Sequence, residues 1–292
     1  MTDHAGAHDA RYDLEGKVAL VTGASRGVGA ATAIALASAG CRVACAARST
    51  DASPQRTPGT LDTTLAAIAG AHGPGRALAV PTDLSNSDQV IAMVAATVAA
   101  FGRLDILVNN AAVTFVGDLD IPMRRHDLIM EINLRAPLIA IREAAPHMRE
   151  SGRGGRIINV SSLAALNPIP GLMSYGVSKI ALERLTVDAA RQLAKDGIAV
   201  NCFRIDLPVA SEGFVANTPG SDHSSWEPAE VAAEGICWMV CQPASYSGRR
   251  ESMAGLRQRE GIMPSPSGRP QVGTPATEMF DGLASDTESI FR

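Results

Sequence analysis

Six short apolar runs recur along the middle of the chain. They read KVALVT, RVACAA, ALAV, LDILVN, GRIINVS and IAVNCF, and successive rather than alternate positions are apolar. Strands that are buried on both faces have this pattern, which is typical of parallel strands covered by helices. The runs therefore predict a parallel sheet in the interior of the protein.

Longer segments of helical character lie between these runs, among them GAATAIALASAG, DQVIAMVAATVAAFG and YGVSKIALERLTVDAARQLAKDG. Gly40, Gly102 and Gly197 stand at their ends, where glycine adopts the left-handed conformation that terminates a helix. Because strands and helices alternate strictly, we predict an α/β fold: a single doubly wound, Rossmann-type domain with a parallel sheet flanked by helices on both faces. Ligands of such folds bind at the carboxyl ends of the strands.

The two ends of the chain lack this alternation. Residues 1–13 are predicted to form a flexible polar arm, and residues 14–256 the folded domain. Residues 257–292 are rich in Pro, Gly, Ser and Thr with little apolar periodicity, which favours a flexible tail over a second domain. The length of 292 residues alone would allow one domain or a small two-domain protein.

Composition and charge narrow the class of protein. The chain is 46% hydrophobic and has a formal net charge of -4, from 26 Lys and Arg against 30 Asp and Glu. Because there is no basic surplus, the balance argues against a nucleic-acid partner. No apolar run reaches the roughly 18 residues that a membrane span requires, and the polar, acidic start is unlike a secretory signal peptide. We therefore expect a cytoplasmic protein with no membrane partner.

The cysteines give no sign of a disulfide framework or a metal site. There are five of them, an odd number without paired spacing, which indicates reduced thiols. Cys237 and Cys241 are four residues apart, but no His or further Cys lies nearby to complete a metal site. We predict structural roles for both and no bound metal.

A glycine-rich turn follows the first predicted strand. It reads TGASRGVG over residues 22–29, with glycines spaced Gly-xxx-Gly-x-Gly. Glycine allows a tight turn and a close approach to a pyrophosphate, which then sits at the positive end of the following helix. The turn supplies the first candidate cofactor-binding residues: Gly23, Ser25, Arg26, Gly27, Val28 and Gly29. A tight turn with a purely structural role is the alternative.

The end of the second strand bears on the choice of dinucleotide. Enzymes that bind the ribose hydroxyls of NAD usually place an acidic side chain here, whereas this chain has Ala47, Arg48 and Ser49. Arginine pairs well with a 2'-phosphate, and Arg26 would add a second positive charge. We therefore favour NADP(H) over NAD(H), with Arg48 and Ser49 as binding residues. Alternatively, Arg48 is only a solvated residue at a strand end.

Two more stretches fit a nucleotide pocket. Asp83 and Leu84 in PTDLS follow the third strand and are predicted to lie near the adenine. The stretch NNAA, residues 109–112, ends the fourth strand, where small side chains let the backbone pass close to a ligand. From it we take Asn110 and Ala111 as cofactor-binding candidates.

A tyrosine and a lysine in YGVSK are spaced for acid–base chemistry. Tyr175 and Lys179 are four residues apart and would share one face of a helix. A free tyrosine has a pKa near about 10, and a neighbouring ammonium group favours the phenolate and so lowers that pKa. Ser162 follows the fifth strand and would hydrogen-bond a substrate oxygen. This combination suits hydride transfer between a nicotinamide and a carbonyl or an alcohol.

Together these motifs resemble the short-chain dehydrogenase/reductase family over about residues 14–248. The shared marks are TGASRGVG, NNAA in place of NNAG, INL around Asn133, Ser162, and YGVSK as the YxxxK motif. The resemblance implies that Tyr175 is the general acid/base and that Ser162 orients the substrate oxygen. Lys179 would bind the nicotinamide ribose and depress the tyrosine pKa, so that Tyr175 and Lys179 also contact the cofactor. Asn133 would hold a water molecule in a proton relay.

The resemblance also implies partners for the chain. The expected substrate is a small-molecule alcohol or carbonyl compound. A homodimer or homotetramer is expected, because relatives commonly associate through helices that begin near Arg124 and Tyr175. The apolar positions of IALERLTVDAARQLA allow such a surface.

The chain departs from the family pattern after the sixth predicted strand. Ile205 and Asp206 stand where the family has Pro-Gly, and Ala210 or Ser211 stands where a Thr contacts the nicotinamide carboxamide. The usual DGG segment is also missing, so the sequence does not predict whether the last strand of the sheet, and the dimer surface that it often supports, are present. Residues 207–225 are predicted to form a substrate lid; the alternative is that they only pack against the core.

Three functions remain open on this basis. The leading one is an NADP(H)-dependent oxidoreductase acting on a secondary alcohol or ketone. The second is a regulator or scaffold that binds the cofactor without turnover, which the altered segment at residues 204–211 suggests. The third is an enzyme that performs dehydration or epimerisation through a transient ketone. Because Asn133, Ser162, Tyr175 and Lys179 are all present, we favour the first.

Overall fold

The computed structural model describes residues 12–217 and 222–266, and over these residues it contains one seven-stranded sheet. Its strands are β1 (Val18–Thr22), β2 (Arg42–Ala47), β3 (Ala77–Pro81), β4 (Ile106–Asn109), β5 (Gly155–Ser162), β6 (Ile198–Ile205) and β7 (Arg250–Ser252). They lie side by side in the order β3-β2-β1-β4-β5-β6-β7, and every neighbouring pair is parallel.

Helices connect these strands in the described part of the chain. They are α1 (Gly27–Ser38), α2 (Leu61–His72), α3 (Ser87–Phe101), α4 (Met123–Met130), α5 (Ala136–Glu150), α6 (Met173–Leu193), α7 (Glu212–Asn217), α8 (Ala229–Val240) and α9 (Met253–Glu260). A π-helical turn, Glu131–Arg135, joins α4 to α5. Short 3-10 turns, Leu163–Ala165 and Ala194–Asp196, follow β5 and α6.

The apolar strands are buried on both faces, as their sequences predict. All five residues of β1 are buried. Ala19 and Val21 pack into a core that includes Leu36 of α1 and Ile236 of α8. The intervening residues of β1 pack into a second core on the other face, with Met93 of α3 and Ala140 of α5. The prediction of a doubly wound parallel sheet is therefore confirmed.

The strand order creates a crevice at one edge of the sheet. From β1 the chain moves outward through β2 to β3 and then returns to β4 on the other side of β1. The connections that follow β1 and β4 therefore diverge, which leaves a gap at the carboxyl ends of these two strands. Open α/β sheets bind their ligands at such switch points.

The last strand, which could not be predicted because the DGG segment is missing, is present although short. β7 pairs with β6, with Cys202 opposite Arg250. Asn201 on β6 fixes the approach of the chain to β7, because its side-chain oxygen accepts the Arg249 N–H at 2.9 Å and its amide group donates to the Tyr246 carbonyl at 2.7 Å.

The boundary predicted at residue 256 falls inside α9, so the fold continues further than expected. Met263 is fully buried, at 0% exposure. Arg257 of α9 donates to the buried carboxylate of Glu227 at 2.7 Å. Apolar burial and a buried ion pair thus outweigh the Pro- and Gly-rich composition here. The rest of the predicted tail, residues 267–292, and residues 1–11 of the predicted arm lie outside the described residues.

The described residues contain neither a membrane-spanning helix nor a cluster of metal-ligating side chains. None of their helices is both long and apolar enough to cross a membrane. None of their His, Cys, Asp or Glu residues form a group of three or more that could hold a metal ion.

Candidate active site

The glycine-rich turn joins β1 to α1 and is packed too closely for side chains. Gly23 has a φ of +70°, and a Cβ atom on it would lie 2.8 Å from Nδ2 of Asn110. A Cβ atom on Gly29 would lie 2.2 Å from the carbonyl oxygen of Gly23. Because most of these contacts are with backbone or with a hydrogen-bonded amide, both positions require glycine.

The N-terminus of α1 carries no side-chain cap. Its N-cap residue is Arg26, whose side chain makes no capping hydrogen bond, and the first turn contains no acidic residue. The first N–H groups of a helix, here from Gly27 to Gly29, have no intrahelical partner and lie at the positive end of the helix dipole. These donors, beside a turn that a Cβ atom would fill, fit the pyrophosphate of a dinucleotide.

The end of β4 is hydrogen-bonded to the same turn. The Thr22 hydroxyl accepts the N–H groups of Asn110 and Ala111, each at 3.1 Å. The Asn110 side chain donates to the Thr22 carbonyl at 2.9 Å. Leu84, Thr22 and Ala111 line one small recess between these strands. Asp83 lies at the end of β3 and is engaged in its own loop, where it accepts the N–H and the hydroxyl of Ser85 at 3.0 and 2.8 Å.

A long connector between β2 and α2 packs against the glycine-rich turn. The Gly59 carbonyl accepts hydrogen bonds from Arg26 Nη2 and from the Ser49 hydroxyl, both at 2.8 Å. A Cβ atom on Gly59 would lie 2.6 Å from the carbonyl oxygen of Ser25. Burial lowers the pKa of Arg26, the Glu212 carboxylate opposes this effect, and the charge of the exposed Arg48 adds to it. Two guanidinium groups, those of Arg26 and Arg48, therefore lie on the same side of the glycine-rich turn as this connector.

Asn133 lies in the π-helical turn and is fully buried. Its side-chain oxygen accepts the Val113 N–H at 2.8 Å, and its amide group donates to the Val113 carbonyl at 2.9 Å. The amide group also lies 3.0 Å from the Ser178 hydroxyl of α6. π-helical turns occur frequently at functional sites. Asn133 thus ties the loop after β4 to the helix that carries Tyr175.

Ser162, Tyr175 and Lys179 are brought together at the end of β5. Tyr175 lies in the first turn of α6, with its phenol close enough to the Ser162 hydroxyl for this serine to lower the phenol pKa. Lys179 lies one turn later, with Nζ 5.5 Å from the centre of the tyrosine ring. Lys179 Nζ also donates to the Val160 carbonyl at 2.8 Å. The helical spacing predicted from the sequence places Tyr175 and Lys179 on one face of α6, and Ser162 comes close to them from the end of β5.

The pKa of Tyr175 differs from the expectation. Although the residue keeps some exposed surface, burial of the phenol raises its pKa, and the neighbouring Ser162 side chain offsets only part of this rise. Burial also lowers the pKa of Lys179 to about 8, against the opposing effects of Cys202 and Glu183. The predicted lowering of the tyrosine pKa is therefore wrong for this structure, and the phenol is protonated at neutral pH.

The altered segment after β6 folds back onto the glycine turn. Asp206 accepts the Ala254 N–H at 2.9 Å, so the residue that replaces glycine anchors α9 instead. The Pro208 carbonyl accepts the Glu227 N–H at 2.8 Å. A Cβ atom on Gly27 would lie 2.9 Å from Cβ of Ser211. The segment is therefore folded against the crevice, not withdrawn from it.

The described part of the predicted lid, residues 207–225, contains α7, and one of its side chains, Phe214, pairs with Trp226 just after it. The ring of Phe214 stacks on the ring of Trp226 at 4.8 Å between centres. Trp226 is 2% exposed and precedes α8, whereas Phe214 is 36% exposed. Phe214 thus ties α7 to the core, and residues 218–221 of the predicted lid lie outside the described residues.

Two residues of the site were not found from the sequence. Gly59 stands 33 residues from Arg26, and only a Pro-Gly pair in the connector hints at a tight turn. Glu183 is one helical turn after Lys179 and is fully buried. Its spacing would have placed it on the same helix face, but a glutamate on a long helix ordinarily faces solvent.

The chain belongs to the short chain dehydrogenase family, whose model matches residues 17–206. Short chain dehydrogenase/reductase astE of Aspergillus oryzae is 33% identical over 255 residues, covering 82% of this chain and 93% of that protein. The uncapped glycine turn and the Ser, Tyr and Lys residues at the end of β5 lie inside the matched range. The protein is therefore a nucleotide-binding oxidoreductase of this family.

Solved structures with the same fold hold either dinucleotide. A metagenomic short-chain oxidoreductase in complex with NADP is 32% identical, with a TM-score of 0.67, covering 82% of this chain and 98% of its own. A short chain dehydrogenase from Mycobacterium paratuberculosis bound to NAD is 27% identical, with a TM-score of 0.71, covering 83% and 98%. The comparisons therefore leave the choice of dinucleotide open.

Proposed function

We propose that the protein interconverts a secondary alcohol and a ketone with NADP(H), using Tyr175 as the general acid/base. The observation that carries this proposal is the group formed by Ser162, Tyr175 and Lys179 at the end of β5. It lies at the same edge of the sheet as the uncapped N-terminus of α1. A proton-transfer group and a phosphate site therefore face one crevice.

Each side chain has a role that follows from its contacts. When bound, the dinucleotide would supply the hydride for reduction. Ser162 and Tyr175 would bind the carbonyl oxygen, and the Tyr175 phenol would give it the proton that completes the hydroxyl group. Because burial raises the pKa of Tyr175, the phenol holds this proton at neutral pH.

Lys179 and Asn133 support that proton transfer. The Lys179 ammonium group would bind the nicotinamide ribose and stabilise the phenolate that remains on Tyr175 after the proton has left. Asn133 would hold the loop after β4 and, as the resemblance implies, a water molecule that returns the proton. Its hydrogen bonds to Val113 support the first of these roles.

The preference for NADP(H) rests on charge. Burial lowers the pKa of Arg26, and Arg48 lies close enough for its charge to add to this lowering. Arg26 is held by the Gly59 carbonyl, and β2 ends in Ala47, where NAD-binding enzymes usually have an acidic residue. A 2'-phosphate would be neutralised by these two guanidinium groups.

A second candidate function is cofactor binding without turnover. It is favoured by the altered segment after β6, which packs Ser211 against Gly27 and brings the Glu212 carboxylate toward the same turn. A segment packed this closely against the phosphate turn would hinder exchange of the dinucleotide, and an acidic group beside the phosphates would weaken binding by charge repulsion. The residues of the acid–base group favour the enzyme.

We also propose that the protein forms a homodimer or homotetramer through α5 and α6. Leu138 on α5 is 39% exposed, and Val177 and Val187 on α6 are 48% and 38% exposed. Static light scattering after size-exclusion chromatography measures the mass directly, and a monomer at micromolar concentration would contradict the proposal.

The experiment that tests the function is consumption of NADPH with a panel of ketones and aldehydes. Tyr175→Phe is the matched variant, because it removes only the phenolic hydroxyl, and NADH is the comparison cofactor. We expect turnover that prefers NADPH and is lost in Tyr175→Phe, while NADPH binding persists. NADPH binding without turnover across the panel would support the second candidate. A product formed without net oxidation or reduction would indicate dehydration or epimerisation.

A further inference from the structure

Glu183 is a fully buried carboxylate close behind the acid–base group. Its Oε1 accepts hydrogen bonds from the Ser161 hydroxyl at 2.9 Å and from Arg204 Nε at 2.8 Å. Its Oε2 accepts Arg204 Nη2 at 2.6 Å. The exposed fraction of its side chain is 0%, and that of Arg204 is 11%. The carboxylate is therefore paired with a guanidinium group and held in one position by strands β5 and β6.

The contacts of Glu183 lead directly to the acid–base group. Ser161 precedes Ser162 on β5, so the carboxylate is bonded to the residue beside the substrate-binding serine. Lys179 lies one turn before Glu183 on α6, and residues at this spacing share a helix face. The same carboxylate thus contacts the strand that carries Ser162 and lies on the face that carries Lys179.

The charged and titratable groups around Lys179 come from the elements packed against it. From α6 these are Tyr175 and Glu183, and from β6 they are Cys202 and, two residues further on, Arg204. β5 contributes the uncharged Val160 carbonyl, which accepts a hydrogen bond from Nζ. Glu183 is the carboxylate that favours the charged form of Lys179. On β7, Arg250 lies 3.9 Å from Glu183 but is half exposed.

A role of Glu183 in stability alone would not explain why one carboxylate lies near two positively charged side chains. Replacing a buried ion pair by apolar residues is often neutral for stability, so the pair alone is weak evidence that it stabilises the fold. Here, however, one buried carboxylate serves two cations: it is bonded to Arg204, whose side chain is 11% exposed, and it lies one helical turn from the buried Lys179. Without Glu183, the interior would hold two like charges, and Lys179 would shed its proton more easily.

We propose that Glu183 is a positioning residue for the acid–base group: held by Ser161 and Arg204, its carboxylate is the counter-charge that keeps the Lys179 ammonium group charged beside Tyr175. This inference rests on the proposed function of Lys179. It assigns the ion pair between α6 and β6 a role in setting the pH range over which the lysine is charged.

The direct test is a nuclear magnetic resonance titration of Lys179 in the full-length protein. The chain has only three lysines, Lys17, Lys179 and Lys195, so protein labelled with carbon-13 at lysine Cε gives a spectrum simple enough to assign by one substitution. In Glu183→Gln, which keeps the shape but loses the charge, we expect the titration midpoint of Lys179 to fall by about one pH unit. Glu183→Asp, which keeps the charge, should stay near the wild-type midpoint.

Two further variants separate electrostatics from loss of structure. Arg204→Gln removes the cation that opposes Lys179, so the midpoint should rise, opposite to the change in Glu183→Gln. Asp188→Asn is the matched control, because it removes a carboxylate and an arginine ion pair from the exposed face of the same helix. It should leave the midpoint unchanged. If Glu183→Gln does not fold, a rise of the Lys179 midpoint in Arg204→Gln still supports the proposal, and a fall or an unchanged midpoint would overturn it.

The dependence of kcat/KM on pH gives the functional readout. A midpoint that moves from about 8 to about 7 predicts about a fivefold loss at pH 8 and almost none at pH 6. A loss equal at all pH values, or a Lys179 midpoint that is the same in wild type and Glu183→Gln, would overturn the proposal. If the wild type has no Tyr175-dependent turnover, the proposed function fails, whereas the titration still reports on Glu183.

Discussion

Replacing Gly29 by alanine tests whether the N-terminus of α1 is the phosphate site. The new Cβ atom would lie 2.2 Å from the Gly23 carbonyl oxygen and 2.5 Å from Asn110 Nδ2. Neither atom is free to move, because Asn110 Nδ2 donates to the Thr22 carbonyl and Gly23 is in the tight turn. The substitution must therefore push α1 away from the turn.

The size of that displacement sets the expected effect. Van der Waals contacts of heavy atoms begin near about 3.5 Å, so the helix N-terminus must retreat by about 1 Å. Overpacking of this kind costs about 1–3 kcal/mol of stability. Hydrogen bonds from the helix N–H groups to a charged phosphate contribute about 1.5–3 kcal/mol each. Loss of one such bond weakens binding about tenfold to a hundredfold.

Isothermal titration calorimetry with NADPH and with NADH measures this loss, and urea denaturation measures the stability. Both dinucleotides should be affected equally, because the pyrophosphate is common to them. Gly70→Ala is the matched control: it lies in α2 with no atom within 4 Å of the added Cβ, and it should stabilise the helix by about 0.5–1 kcal/mol without changing binding. Wild-type affinity in a folded Gly29→Ala protein would refute the assignment of the phosphate site.

Three further predictions use other parts of the structure. Arg48→Ala should weaken NADPH binding about tenfold and leave NADH binding nearly unchanged; equal losses for both would contradict the proposed preference. Lys179→Met should raise the free energy of unfolding at pH 7 by about 1–3 kcal/mol. The reason is that the folded pKa of about 8 lies below the ordinary 10.5, so keeping this lysine charged costs stability below pH 8, and this cost disappears as the pH rises from 8 to 10.5. Urea denaturation at pH 7 and pH 10 would show a gain at the lower pH only. Met263→Ala should destabilise the fold by about 2–5 kcal/mol in the same assay, whereas an unchanged midpoint would place this residue in a flexible tail.

Some of the site was predictable because the relevant chemistry is local. The spacing of Tyr175 and Lys179 follows from the period of the α-helix, and both lie on α6. The glycines at positions 23 and 29 follow from the needs of a strand-to-helix turn. The positions of Asn110 and Ala111 follow because parallel strands end at the same edge of a sheet.

Other features depended on contacts between residues far apart in the sequence. Arg26 is held by Gly59, 33 residues away, and Glu183 is held by Arg204, 21 residues away. Neither pair stands out locally, since a glycine in a loop and a glutamate on a helix are ordinary. The burial of Met263 could not be predicted either, because the residues around it in the sequence have the composition of a flexible tail.

The sequence by itself determined the alternation of strands and helices, the parallel sheet, the glycine turn and the order of the acid–base residues, because each depends on neighbours within a few positions. Only the tertiary structure decided how deeply those residues are buried. The sequence shows that Lys179 follows Tyr175, which predicts a lowered tyrosine pKa. Burial instead raises the pKa of Tyr175 and lowers that of Lys179. The physical reason is that burial disfavours the charged form of a side chain. The groups that exclude water around Tyr175 and Lys179 come from strands and helices far apart in the chain.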